Sequence, residues 1–271
     1  MSASPASAVP RASRLDGEVV LAVFAHPDDE SLACGGTLAR LSDAGAHVVV
    51  MCATRGELGT ETPGARDFEL ARRRAGELKQ ALISLGVPEL ILLNHPDGDL
   101  RWDALTQFSS EIVLFLRRRR PSAVLTFDED GLYWHPDHIA VHERVVGAVR
   151  ALGADAPPVY AVTMVRGIMT AIVESAALRG WTKPAMGFWS LPSDAFGKFA
   201  TPHTLTMDVG PWLPRKLEAI HSHVSQIGIT GPLSGLTPSQ AVTWLGRECF
   251  RRLDLPSRPT ALLESLCIQS S

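Results

Sequence analysis

The chain has few of the features that mark secreted or membrane proteins. Its four cysteines, in 271 residues, form no CxxC pair and no regular framework, so we expect reduced thiols. The sequence also lacks a signal peptide and any apolar run long enough to cross a membrane. These absences predict a cytoplasmic protein without a membrane span.

An excess of charge of one sign is absent as well. The formal net charge is -3 and the pI is near 6.3, which provides no electrostatic basis for binding nucleic acid. The basic run from Arg117 to Arg120 stands before Pro121, where cations complement the carboxyl end of a predicted helix. We therefore expect a small molecule as partner, and association into a homo-oligomer is left open.

Hydrophobic residues make up 45% of the chain, which is enough for one large domain. Residues 1–16, rich in Ser, Ala and Pro, are predicted to be a disordered tail, and residues 17–271 a single domain. Within it, residues 17–156 alternate short β-branched runs with helical periods, which is typical of a doubly wound α/β fold with a mostly parallel, Rossmann-like sheet. Residues 157–271 are expected to form a looser α+β part that shapes the substrate site.

The hydrophobic pattern also predicts the individual elements. Strands are predicted at residues 19–24, 47–53, 90–93, 123–127, 159–165 and 205–209. Helices are predicted at residues 68–85, 105–119, 137–152 and 214–224, with a first helix that ends at Gly45 and a last one that begins at the capping box of Thr237. Loops rich in Gly and Pro at residues 182–199 and 228–238 could cover a site.

Two charged clusters follow predicted strands. His26, Asp28 and Asp29 come after the first strand, and His135 and His138 come after the strand that ends at residue 127. Because ligands gather at the carboxyl ends of the strands in an open α/β sheet, we expect the two loops to converge.

Two histidines and one carboxylate are the ligand set of a catalytic divalent metal that keeps one position free for water. His26 and Asp29, three residues apart in a turn, are predicted to bind one ion, and His138 to complete the set. Asp28 and His135 are then left beside the metal, where they are placed to move protons.

Other residues nearby carry weaker signals. His142 lies one turn after His138 on the same helix face. It is either a metal ligand, a residue that orients a metal ligand or, as is more common for such a histidine, a packed or surface residue. His95 repeats the His-Pro-Asp lettering without a second histidine, and we interpret it as unrelated to the site. Gly35 and Gly36 lack the GxGxxG spacing, so they are expected to permit close packing rather than bind a dinucleotide.

Several short segments from about residue 19 to residue 226 share a family pattern. They are Ala25-His26-Pro27-Asp28-Asp29-Glu30, Thr54-Arg55-Gly56-Glu57, Leu85-Gly86-Val87, Asp97-Gly98, His135-Pro136-Asp137-His138 and His223-Val224-Ser225-Gln226. Together they resemble the LmbE-like, or PIG-L, family of zinc-dependent N-acetylglucosamine deacetylases. The paired His-Pro-Asp motifs at this separation are highly specific for it.

The resemblance implies a cofactor and a base. Zn²⁺ would be bound by His26, Asp29 and His138, and Asp28 would act as general base toward the activated water. The ligand types do not decide between zinc and Fe²⁺, so iron stays an alternative.

The resemblance also implies supporting roles. His135, oriented by Asp137, would stabilise the tetrahedral oxyanion. Tyr133 matches a tyrosine that assists the transition state in some members, and Arg74 and Asp97 match positions that hold the sugar.

The predicted reaction is hydrolysis of the N-acetyl amide of an amino sugar or of a glucosamine-containing conjugate. One alternative is a non-haem Fe(II) oxygenase, which uses the same triad, although these enzymes need no carboxylate base and usually adopt all-β barrels. The other is a non-catalytic sugar-binding α/β module, which would not require Asp28 beside three ligands. Trp134 stands where a small residue is common in the family, so the identity of the sugar is left open.

Overall fold

In the computed structural model of the chain, which describes residues 15–60, 64–101, 107–228 and 230–267, seven strands form one sheet. The strands are β1 (Val19–Phe24), β2 (His47–Thr54), β3 (Glu89–His95), β4 (Ala123–Phe127), β5 (Val159–Thr163), β6 (Leu205–Asp208) and β7 (Arg247–Arg252). Their order across the sheet is β3-β2-β1-β4-β5-β7-β6. β1 to β5 pair in parallel, and β7 runs antiparallel to both of its neighbours.

Helices connect the strands and cover the sheet. They are α1 (Asp29–Asp43), α2 (Phe68–Leu85), α3 (Gln107–Arg119), α4 (Gly131–Trp134), α5 (Pro136–Leu152), α6 (Ile168–Leu178), α7 (Leu213–Ser222), α8 (Val224–Ile227) and α9 (Pro238–Leu245). α1, α2 and α7 pack against one another, and α3 packs against α5. The two groups lie on opposite faces, because right-handed crossovers lead from β1 to β3 in one direction and from β4 to β5 in the other.

The central strands form because their residues are apolar on both faces. Every residue of β1 from Val20 to Phe24 is fully buried, as is every residue of β4. Continuous hydrophobic runs of this kind are typical of parallel strands that helices cover on both sides. The core therefore holds the first and fourth strands, and with them their carboxyl ends, in fixed positions.

The predicted architecture is confirmed. β1, β4 and α2 have the predicted bounds, and the side chain of Thr237 caps α9 with the reciprocal bond of a capping box. β2 and β3 are longer than predicted and β5 and β6 shorter, since strand ends carry weak signals. The predicted start of α3 at residue 105 lies outside the described residues, and α7 ends at Ser222 instead of continuing to residue 224.

The part of the chain after residue 156 adds further strands and helices to the same sheet and its surroundings. β6 and β7 extend the same sheet, and α6 and β7 were not anticipated. β7 escaped prediction because four of the six residues in Arg-Glu-Cys-Phe-Arg-Arg are charged. A second apolar cluster around Trp189, Ile220 and Leu245 packs beneath this part, and it supports the wall of the site described below.

The chain is packed against the core from the first residue that the structure describes. The predicted tail falls mostly on residues 1–14, outside the described residues, but Leu15 is already buried and its amide donates to the carbonyl of Ala44. No helix among the described residues is long and apolar enough to cross a membrane.

α1 contains a kink that a buried ion pair supports. Cys34 departs from helical geometry (φ -150°, ψ 26°). After this kink, the backbone amides of Gly36 and Thr37 donate to the carboxylate of Glu248 on β7. The Nζ atom of Lys216 lies 2.6 Å from the same carboxylate. A Cβ atom on Gly36 would lie 2.5 Å from that of Val209, so this glycine serves close packing, as predicted.

Candidate functional site

The two predicted loops meet at the point in the sheet where the strand order reverses. β1 and β4 are neighbours, and their connections leave toward opposite edges of the sheet, so their carboxyl ends border a crevice. His26 follows β1 closely, Asp29 begins α1, and His138 lies in the first turn of α5. The tertiary structure thus brings together the two clusters that the sequence separates by more than a hundred residues.

Three donor atoms of these residues converge on one point. Nε2 of His138 lies 3.2 Å from Oδ1 of Asp29 and 3.3 Å from Nδ1 of His26, and that Nδ1 lies 3.4 Å from Oδ2 of Asp29. Ligand atoms at roughly 2.0–2.1 Å from a tetrahedral ion are separated by about 3.3 Å. The donor set and its spacing therefore fit one divalent ion.

The far nitrogen of each histidine is engaged elsewhere, so that the near nitrogen faces this point. Nδ1 of His138 lies 3.1 Å from the carbonyl oxygen of Gly131. Nε2 of His26 lies 3.1 Å from Oδ1 of Asp97 and 3.2 Å from Oδ2 of Asp137. Such partners fix the ring orientation of a metal ligand and increase its basicity.

The electrostatics of the cluster favour a cation. Burial alone would lower the pKa of His26, but the carboxylates of Asp97, Asp137 and Asp29 raise that pKa well above its usual value. Burial alone would raise the pKa of Asp29, yet His138 and His26 hold that pKa well below its usual value. Positive charge is thus stabilised at this point, and a bound metal ion would supply it after displacing protons.

Asp28 lies beside the three donors in a strained backbone conformation. Its φ is 127°, a region that non-glycine residues rarely adopt. Arg74, itself buried, donates from Nη2 to the carbonyl of Pro27 at 2.8 Å and to Oδ2 of Asp28 at 3.2 Å. The amide of Asp28 donates to Oε2 of Glu30. These bonds hold the strained residue in place.

The environment of Asp28 shifts its pKa toward neutrality. Burial raises the pKa to about 6, although the guanidinium of Arg74 opposes the shift. A carboxyl group with a pKa close to the working pH both accepts and returns a proton readily. Asp28 therefore has the properties of a general base.

His135 is placed to donate a hydrogen bond into the site. Its Nδ1 accepts the backbone amide of Asp137, so the proton of the neutral ring is on Nε2. Burial, together with the neighbouring His138 and His26, lowers the pKa of His135 to about 3, and the ring is neutral. The ring of Tyr133 packs edge-on against both His135 and His138, and burial raises the pKa of its hydroxyl, which keeps its proton.

Two predicted residues make contacts other than those that the resemblance implies. The carboxylate of Asp137 lies against His26 and accepts the amides of Gly98 and Leu100, and only its backbone reaches His135. Asp97, expected to hold the sugar, also lies against His26. Both acids are thus in contact with a predicted ligand, while Asp97 and Arg74 still line the cavity.

A buried cluster behind Asp28 was not assigned a role from the sequence. Nε2 of His223 lies 2.9 Å from Oε1 of Glu30, and the hydroxyl of Ser31 donates to the same oxygen at 2.5 Å. Burial would lower the pKa of His223, but Glu30 raises it. Both residues belong to segments that carry the family resemblance, and that was the available signal.

His142 and His95, which the sequence analysis singled out, lie apart from the donor set. Nδ1 of His142 is 2.9 Å from the carbonyl oxygen of Phe127, which supports the interpretation of a packed residue. Nε2 of His95 is 2.7 Å from Oε2 of Glu111, and its ring packs on Phe108.

A cavity of about 280 Å³ opens above the donor atoms. Its walls combine most of the predicted residues, though not His138 or Asp137, with Leu58, Gly59, Thr60, Gly98, Gly187, Phe188, Leu191 and Gln226. Phe188 and Leu191 come from the loop predicted to cover a site, but no motif in that loop indicated which of its residues do so. The volume is close to the lower end of ordinary small-molecule sites.

The sequence matches a known protein family and proteins described as deacetylases. Residues 21–149 match the family model described as PIG-L, GlcNAc-PI de-N-acetylase. A protein of Thermobispora bispora described as 1D-myo-inositol 2-acetamido-2-deoxy-alpha-D-glucopyranoside deacetylase is 33% identical over 264 residues, covering 85% of this chain and 86% of that protein.

Solved structures share the fold. N,N'-diacetylchitobiose deacetylase from Pyrococcus horikoshii superposes with a TM-score of 0.63 at 22% identity, covering 87% of this chain and 84% of that one. GalB, the 4-carboxy-2-hydroxymuconate hydratase of Pseudomonas putida, superposes with a TM-score of 0.59 at 17% identity, covering 90% of this chain and 98% of that one. At such identities the similarity concerns the fold alone.

Proposed function

Because the chain belongs to the PIG-L family and is a hydrolytic deacetylase, we propose that it removes the N-acetyl group of an amino sugar joined to a cyclic polyol, with zinc as its metal. The observation that carries this proposal is the convergence of His26, Asp29 and His138, with Asp28 beside them, at a cavity that His26, Asp28 and Asp29 line. The relative from Thermobispora bispora, named for an N-acetylglucosaminide of inositol, supports the choice of substrate.

Zinc would be held by His26, Asp29 and His138. When bound, it polarises the amide carbonyl and makes water acidic enough to attack near neutral pH. Iron(II) has the same preference for histidine and carboxylate ligands and is the alternative metal.

The remaining chemistry belongs to side chains of the chain. Asp28 accepts a proton from the attacking water at its carboxylate, while Arg74 keeps that carboxylate in position. His135 donates its Nε2 proton in a hydrogen bond to the oxyanion that develops on the carbonyl oxygen. Asp28 then returns its proton to the departing amine, and a free amino sugar and acetate result.

The non-catalytic alternative and the oxygenase alternative both lose support. An Fe(II) oxygenase is expected on an all-β barrel, whereas this chain is α/β. A sugar-binding module has no use for a buried carboxyl group with a pKa of about 6 next to three metal-binding side chains.

The compartment and the assembly are part of the proposal. The described cysteines Cys34, Cys52, Cys249 and Cys267 are unpaired, which supports a reducing compartment such as the cytoplasm. We propose a small-molecule amino sugar, and no nucleic acid, as the partner. Whether the chain forms a homo-oligomer is measured by sedimentation.

The test is amine release from a panel of N-acetylated amino sugars by metal-free protein reloaded with zinc or iron. We expect release of amine and acetate from an N-acetylglucosaminide of a cyclic polyol, without oxygen and only after metal is added. Absence of release from every member of the panel, with the metal demonstrably bound, would refute the proposal.

A further inference from the structure

We propose that Trp134 and Phe199 form a platform, exposed beside the cavity, on which the cyclic-polyol half of the substrate stacks. The inference rests on the proposed function and adds to it two residues that determine specificity. Trp134 is 54% exposed and Phe199 63% exposed, although both are aromatic, and their rings pack edge to face with centroids 5.9 Å apart. Exposed aromatic pairs of this kind present an apolar surface that water covers poorly.

The chain places the platform next to the reaction centre. Trp134 stands between Tyr133 and His135, which both line the cavity, so its Cα lies roughly 3.8 Å from each of theirs. On the other side, the ring of Tyr133 packs against Phe196 at 4.5 Å, three residues before Phe199. The platform thus adjoins, through Tyr133 and His135, the wall of the cavity in which the acetamido group would bind.

The backbone is strained in a way that exposes the indole ring. Trp134 has a φ of 66°, in the left-handed region that bulky residues avoid. Its amide donates to the carbonyl of Asp130, which secures that conformation. The indole ring packs on the exposed Phe199 and is not part of the core, and strain of this kind is concentrated at functional sites.

The platform is also held rigid before any ligand binds. The amide of Gly197 donates to the carbonyl of Leu132 at 2.9 Å, and the hydroxyl of Thr201 donates to Oε1 of Glu129 at 3.0 Å. These bonds tie the loop that carries Phe199 to the segment that carries Trp134. A surface ordered in advance loses little entropy on binding.

The surroundings of the platform favour a saturated polyol ring over an aromatic ring. Nζ of Lys198 lies 5.9 Å from the centroid of the Phe199 ring. The exposed carboxylate of Glu129 lies on the segment that carries Trp134. The C–H face of a saturated ring packs on the electron-rich face of the indole, while its hydroxyl groups bond to such charged neighbours. A phenyl group offers no hydroxyl groups to these side chains, which pair with Asp194 and Arg251 in the unbound protein.

The experiment compares two glycosides of N-acetylglucosamine, one with a methyl aglycone and one with a cyclitol aglycone. We expect Trp134→Ala to raise KM for the cyclitol glycoside about fivefold to tenfold, the range of one aromatic contact, with little change in kcat. The methyl glycoside should be hydrolysed as by the wild type. Trp134→Phe should restore most of the difference, and Phe199→Ala should show a smaller one.

Leu178→Ala is the matched control, because Leu178 is 91% exposed on α6 and has no place in the site. Equal losses for both glycosides in Trp134→Ala would overturn the proposed platform. If the wild type released no amine from either glycoside, the proposed function would fail. Calorimetric binding of the same two glycosides would then still test the platform, and equal affinities in wild type and Trp134→Ala would refute it.

Discussion

Asp28 combines three properties that single residues seldom share: it is buried, its backbone is strained, and its carboxyl group has a pKa near 6. At the residue scale it is therefore the first position to test. Asp28→Asn should reduce kcat for amide hydrolysis by about a hundredfold to ten-thousandfold, the usual contribution of a general base. Zinc content should stay the same, because Asp28 is not among the three converging donors.

Acetate release and metal content of purified Asp28→Asn are the two measurements. Asp254→Asn is the control, since Asp254 is exposed beyond the end of β7. Full activity in Asp28→Asn would remove the assigned base.

Asp97 offers a second residue-scale prediction, because its contact with His26 suggests a role toward the metal ligand as well as toward the sugar. Asp97→Asn should weaken zinc binding about tenfold to a hundredfold, the usual effect of losing the carboxylate partner of a ligating histidine. Competition with a zinc-binding dye measures this affinity without substrate. An unchanged zinc affinity with a raised KM would instead favour the sugar-holding role that the family resemblance implies.

At the scale of elements, the kink of α1 depends on a buried carboxylate. Glu248 accepts two amides of α1 and the ammonium group of Lys216, and both charged side chains are nearly inaccessible. Glu248→Ala should lower the free energy of unfolding by about 3–5 kcal/mol, because it leaves a buried charge without its partner. Urea unfolding followed by circular dichroism measures the loss.

An exposed pair on α2 provides the comparison. Arg72 and Glu69 also form an ion pair, but both are largely in solvent. Glu69→Ala should cost no more than about 0.5 kcal/mol. Similar costs for the two substitutions would show that the pair at Glu248 is not responsible for holding the helix.

At the scale of the whole molecule, metal binding should couple distant parts of the chain. The three donors come from the loops after β1 and β4, so an ion joins segments more than a hundred residues apart. Zinc at a hundred times its dissociation constant should stabilise the folded chain by about 2.7 kcal/mol relative to chelated protein. Thermal unfolding with and without a chelator measures this difference.

His138→Ala should abolish that stabilisation, whereas His142→Ala should retain it, since His142 bonds to the carbonyl of Phe127 instead. Stabilisation by zinc that survives in His138→Ala would place the ion elsewhere.

The C-terminal segment is joined to the sheet by a tyrosine whose titration affects the stability of the whole fold. Burial and a 2.5 Å hydrogen bond to Glu264 raise the pKa of Tyr160. The raised pKa means that this contribution is complete below about pH 10, the unfolded value, and is lost as the pH rises above it. Tyr160→Phe should cost about 1.5–3 kcal/mol at pH 8, the range for a hydrogen bond to a charged group.

The cost of Tyr160→Phe should shrink between pH 10 and pH 11, and urea unfolding at the two ends of this range measures the change. A cost independent of pH would mean that the hydroxyl group of Tyr160 does not carry the effect.

Much of the fold was predictable because its signals are local. The runs of β1 and β4 are apolar throughout, and Asp67 and Gly86 bracket α2 with a cap at each end. β7 was not predictable, because its charged residues are accommodated by neighbours from other parts of the chain, such as Asp128, which pairs with Arg251.

By itself the sequence determined the α/β class and the residue types of the site, since hydrophobic periodicity and paired His-Pro-Asp motifs depend only on neighbours along the chain. Only the tertiary structure decided which nitrogen of each histidine faces the donor atoms and that Asp97 and Asp137 contact His26. It also decided that Trp134 lies exposed beside Phe199. Those arrangements depend on distances between segments far apart in the chain, and a linear pattern does not encode such distances.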